Sequence, residues 1–195
     1  MSMAKRKYDF RPDKLRSTLA SKLYLTPKQR LTFLRWLLLC LLLVVASVLQ
    51  DVILCRFQLF GATTDLVPCA IILICVILGI HDSCVFVLLA SLAYQASGTA
   101  PGYYVIPLIT ILAILLSSFR ESFLRKSFSS VMLSSGIAVL LYELLLFAIG
   151  LAFGNTRFDR WSVFLITGGL SLITLPIMYP LVKAIAKIGG ETWKE

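Results

Sequence analysis

The chain is short of almost everything that catalysis uses. It holds one histidine, His81, and its charged residues, 10 acidic and 19 basic, make up only 15% of 195 positions. No P-loop, GxSxG elbow or HExxH zinc helix occurs, and no pair of carboxylates shares a loop with an activating histidine. The single His81-Asp82 pair could in principle make a general base or a proton relay. It sits between two apolar runs, however, where a hairpin tip needs polar residues to keep its backbone solvated, so turn formation is its expected role. Cysteine is no more informative. Cys40, Cys55, Cys69, Cys75 and Cys84 are odd in number, lack CxxC spacing and lie within or beside apolar runs, where thiols act as small hydrophobes. A disulfide framework, a metal site or a cofactor is not expected. The chain reads as something other than an enzyme.

What is abundant is apolar. Hydrophobic residues make up 58% of the chain, in runs near or above the length that crosses a bilayer, so the expected class is an all-α polytopic membrane protein. Six runs are read as spans: 35–49, extendable to 55; 66–80; 83–94; 103–119; 130–153; and 161–185. The second and third are short. Fused, they would make a helix of roughly 43 Å with a charge at its centre, too long for a hydrocarbon core of about 30 Å. Charge asymmetry decides between the two versions, because cytoplasmic loops are enriched in Lys and Arg. With six spans and the amino terminus inside, 16 basic residues fall inside and 3 outside; with five spans the split is 12 and 7. Six transmembrane helices with both termini cytoplasmic are therefore expected.

Ten of the nineteen basic residues lie between Lys5 and Arg35. Such a head resembles a nucleic-acid arm. Directly before a span, it is more simply an anchor attracted to anionic lipid, at about 1 kcal/mol per basic residue near the surface, and no nucleic acid is implied. It is too long for the basic start of a signal peptide, so a retained first helix is expected. Leu15, Leu19 and Leu23 fall at helical spacing and allow an interfacial helix there. The organisation is then a basic cytoplasmic segment over 1–34, a six-helix membrane domain over 35–186 and a cytoplasmic tail over 187–195.

Glu143 is the one carboxylate deep inside an apolar run. A charge at the bilayer centre costs about 2.5–3.5 kcal/mol on insertion scales, so such a residue faces other helices, a cavity or a partner. It either works there or locks packing through a hydrogen bond. Gly136, Glu143 and Gly150 are seven apart and share one helix face with Leu140 and Phe147. Small residues let another helix approach, and Gly168, Ser171 and Thr174 offer a matching face on the last span. Ser134 and Ser135 add hydrogen-bonding capacity. Pro107, Pro176 and the Gly168-Gly169 pair would also permit the broken helices of a transporter, although no internal repeat relates the two halves.

The stretch 47–54, followed by 57–60, Gly61 and Thr64-Asp65-Leu66-Val67-Pro68, resembles the rod shape-determining protein MreD family. In that family a G-x-x-PDL element opens the second span. Gly61 and Asp65-Leu66 match it, with proline displaced to Pro68. Gly102-Tyr103-Tyr104 is similar to the family's glycine-plus-aromatic entry to the fourth span. The third span departs from the family: Phe86 and Leu92 are kept, but its two glycines and its Asp are missing, and Tyr94 lies near the place of that Asp. The resemblance implies a non-enzymatic scaffold of the cell-wall elongation complex in the bacterial inner membrane. It would bind MreC and help join the MreB filament to the RodA glycan polymerase and its transpeptidase partner. On that basis Glu143, Gly136 and Gly150 are expected to pack against a partner, and Gly61 and Asp65 to shape the external entry to the second span. A competing class is the substrate-binding S component of an energy-coupling-factor importer, also a small six-span protein, which would need convergent polar groups near its outer face.

Overall fold

A computed structural model describes residues 27–56, 61–123 and 127–188. Every regular element among them is helical. Six helices follow in order: α1 (Pro27–Val52), α2 (Leu66–Leu78), α3 (Ile80–Ala96), α4 (Val105–Phe123), α5 (Phe128–Ala152) and α6 (Trp161–Ala186), with single 3-10 turns at Leu54–Arg56 and Phe158–Arg160. The leucine spacing over 15–23 and the basic residues before Pro27 lie outside the described residues.

The helices follow the apolar runs, and proline marks where they start. Pro107 and Pro68 occupy the third positions of α4 and α2, within the first turn, where no intrahelical N–H is lost. Pro107 therefore opens a helix and does not break one. Pro176 and Pro180 do lie inside α6, which continues through both. Neither α4 nor α6 is a broken helix.

The segments at 66–80 and 83–94 are separate helices, but the break between them is not at His81-Asp82. It is the single residue Gly79, at φ 92° and ψ 165°, a region that is essentially reserved for glycine. His81 and Asp82 already belong to the first turn of α3. Asp82 is favourable there, near the positive end of the helix dipole, and it accepts a hydrogen bond at 3.2 Å from Arg35 Nη2 on α1. Ser83 Oγ lies 3.1 Å from Cys75 Sγ across the break, so α2 and α3 run antiparallel as a hairpin.

Four helical segments, Gln29–Arg56, Val105–Ser122, Phe128–Ala152 and Phe158–Ala186, are long and apolar enough to cross a membrane. Their outward faces suit lipid: Leu37, Leu41, Val44 and Val48 on α1, Leu144 on α5, and Ile173 and Ile177 on α6 are all exposed. On α1 only a narrow stripe turns inward, Arg35, Leu39, Ala46 and Gln50. At 13 residues, α2 is about 20 Å long, short of a full crossing. It is also the most deeply buried element. Leu66 to Ile77 are all buried, and α2 packs against every one of the other five helices. The bundle is wrapped around it.

Candidate functional site

Because α2 is short, its amino-terminal end lies inside the bundle. Ahead of α2, Gly61, whose φ of 78° and open surroundings mark a turn, leads to Asp65, the residue that precedes the helix. Glu143 stands nine residues short of the end of α5, about 13 Å in, and Ser171 ten residues into α6, about 15 Å. Both meet the start of α2 at that level.

Helix starts leave N–H groups without intrahelical partners, and a buried one must find another acceptor. Here they find side chains from distant parts of the chain. Val67 N–H donates to Gln50 Oε1 at 2.9 Å, and Asp65 N–H donates to Ser171 Oγ at 3.2 Å. The Cys69 thiol reaches the Ser171 carbonyl at 3.7 Å, and Thr174 Oγ1 donates to the same carbonyl at 2.7 Å. Gln50 also lies close to the buried Tyr94 on α3. Gln50 thus belongs to the last turn of α1, within the extension of the first run towards 55, and serves as a cap for α2.

Asp65 uses its backbone, and its side chain makes no cap hydrogen bond to α2. That side chain lies within electrostatic range of Glu143. Glu143 is 4% exposed, and its Oε1 receives no N–H or hydroxyl hydrogen bond. The neighbouring Tyr142 is fully buried, with a hydroxyl that likewise has no partner, in electrostatic range of Asp65, Tyr94, Glu143 and Cys69. Among the described residues, no Lys, Arg or His acts on either carboxyl. No cluster of three or more His, Cys, Asp or Glu among the described residues could hold a metal ion.

The expected small-residue face on α5 divides in two. A Cβ on Gly136 would meet Leu172 at 3.3 Å, and the Glu143 stem lies 3.6 Å from a Cβ placed on Gly168, so both residues face α6 within this chain. Gly150 faces Thr156, in the connection to α6, and not a helix. Ser134 and Ser135 spend their hydroxyls on carbonyls of their own helix, at 2.9 and 2.6 Å. Leu140 also meets Gly168, its Cδ2 lying 3.4 Å from a Cβ placed there, and the Phe147 ring packs on Phe164 of α6 at 5.0 Å. With Leu144, Trp161, Phe164 and Leu165 they line an open apolar groove of about 450 Å³ between α5 and α6, which Glu143 and Gly168 also border.

Sequence reasoning singled out Glu143 and Asp65 separately and did not pair them. It passed over Tyr142, although a tyrosine beside the lone glutamate of an apolar run was a usable signal.

No family model, curated protein or solved structure matches this chain.

Proposed function

We propose that this protein is a non-enzymatic scaffold of the MreD kind, crossing the bacterial inner membrane six times with both termini in the cytoplasm. In this reading α2 and α3 complete the six crossings, α2 being short because its start is set into the bundle. The observation that carries the proposal is the α5–α6 groove. It follows α5 from Ile137 to Phe147, about 15 Å, is lined by apolar side chains apart from Glu143, and has aromatic rings at one end. That form suits a transmembrane helix, whose association with others relies on close packing because lipid is as apolar as the helix itself. The MreC-like partner would seat there, beside the Glu143 level. The resemblance is supported by where its residues fall: Gly61 takes the positive φ of the descending turn, and Asp65-Leu66 opens α2.

Two observations support the orientation. Arg35 and Asp82 meet at one end of the bundle, and a Cβ on Gly79 would run into Glu121 of α4 at that end, so the first helix's start, the α2–α3 break and the end of α4 share a level. Basic residues concentrate in the segments that would emerge there, including the head that would hold anionic lipid.

The test is an affinity pull-down of the tagged protein from its own membranes in mild detergent, with partners identified by mass spectrometry. Recovery of an MreC-like protein with a glycan polymerase and its transpeptidase is the expected result. A second reading, the S component of a vitamin importer, is favoured by the polar groups gathered around the start of α2, with the Tyr142 hydroxyl unpartnered. Recovery of an ATPase pair with a coupling subunit would select it and overturn the scaffold.

A further inference from the structure

One residue sets the α5–α6 groove apart from an ordinary lipid-facing cleft. Its walls are apolar side chains such as Ile137, Leu144 and Phe164, and Glu143 is the one lining residue with an ionisable group. The Glu143 stem packs toward α6, its Cγ 3.6 Å from a Cβ placed on Gly168. Glu143 is 4% exposed, and its Oε1 has no hydrogen-bond partner among the described residues. Hydroxyls on the same two helices are committed elsewhere: Ser134 and Ser135 donate within α5, and Thr174 donates to the Ser171 carbonyl.

The chain supplies no cation at this level either. Among the described helices, Lys, Arg and His occur only in the first nine residues of α1, the first turn of α3 and the last turns of α4 and α6. The α5 helix has none, and Lys183 lies fifteen residues beyond Gly168, about 22 Å along α6. Carboxylates inside a membrane are rare because they are costly, and they characteristically pair with an opposite charge.

We propose that the helix seated in this groove carries one Lys or Arg near its middle, and that this side chain pairs with the Glu143 carboxylate. The pairing presupposes the groove as a helix seat, as proposed above, and specifies what that helix must carry. A hydroxyl or amide would satisfy Oε1 but leave the charge uncompensated. A cation meets both needs, and the fork of an Arg can donate to both carboxyl oxygens. A basic residue in the middle of the partner helix is itself costly in lipid, so each charge is relieved by the other. The apolar walls alone would accept many helices; the charge selects among them.

Photo-crosslinking of the full-length protein in its own membranes tests the pairing. Benzoyl-phenylalanine in place of Leu144, which is exposed on the groove wall beside Glu143, captures whatever helix is seated there. Mass spectrometry of the crosslinked peptide then identifies that helix. The expected peptide is an apolar run with Lys or Arg within about one turn of the crosslinked position. Glu143→Gln should lower the yield about tenfold or more, whereas Glu143→Asp, which keeps the charge, should stay closer to wild type. A captured helix with no basic residue near the crosslink would overturn the charge pair and keep the groove as a helix seat. An undiminished yield from folded Glu143→Gln would do the same. No crosslink to protein in the wild-type background would overturn both, because lipid then fills the groove. If Glu143→Gln fails to fold, the sequence of the helix captured by the wild-type background still decides.

Discussion

The two ends of α2 are built on different terms. The carboxy-terminal end is closed by its immediate surroundings. Gly79 N–H and the Ser117 hydroxyl both bond the Cys75 carbonyl, at 2.9 and 3.2 Å, Ser83 N–H bonds the Gly79 carbonyl at 3.2 Å, and the Cys75 thiol is used against Ala113 and Ser83. The amino-terminal end is assembled from residues on α1, α3, α5 and α6, and it keeps a carboxyl oxygen and a phenol without conventional partners. At one end the backbone groups are closed by α2 itself and its neighbours α3 and α4; at the other they depend on side chains from α1 and α6, with Glu143 and Tyr142 of α5 close by. In a membrane, where an unsatisfied polar group is expensive, groups left in that state point to function.

Substitutions at the closed end and at the caps of the open end should then cost stability in a definite order, read as thermal unfolding in detergent. Gly79→Val should cost most, about 3 kcal/mol, because a β-branched residue is forced into a glycine conformation and Glu121 must also give way. Gln50→Leu comes next at about 2 kcal/mol, since it strands the buried Val67 N–H. An equal or larger loss for Gln50→Leu than for Gly79→Val would mean that the open end holds the hairpin together. Ser117→Ala should cost about 1 kcal/mol, the worth of one buried hydrogen bond whose acceptor keeps a second donor. Asp82→Asn should be smallest, about 0.5 kcal/mol, because the Asp82 side chain is 55% exposed and its pairing with Arg35 is screened.

The same contrast explains what could be read from the sequence. Apolar runs gave the helices, because each run is one helix whatever packs around it; the run at 66–80 became Leu66–Leu78 and the run at 130–153 became Phe128–Ala152. The two runs either side of His81-Asp82 are separate helices, as expected. The break itself was misplaced by two residues, because polarity pointed to His81-Asp82 whereas the backbone required a positive φ at Gly79. Glu143 was legible as a lone carboxylate in an apolar run. Its nearness to Asp65 was not, since the two are far apart in sequence and come within electrostatic range only because α2 begins inside the bundle. Gly136 was read correctly as a close-approach position, but its neighbour is Leu172 of the same chain. Local pattern could not tell an internal helix from a partner's.

The most direct test compares one residue from each end in the same membranes, Glu143→Gln and Ser117→Ala, scoring both thermal stability and recovery of co-purifying proteins. The account predicts that Glu143→Gln keeps the wild-type unfolding temperature but loses most partner recovery. Ser117→Ala should unfold earlier yet recover partners in full per folded molecule. Full partner recovery by Glu143→Gln, with its cost appearing as lost stability, would contradict the account and make Glu143 a packing device.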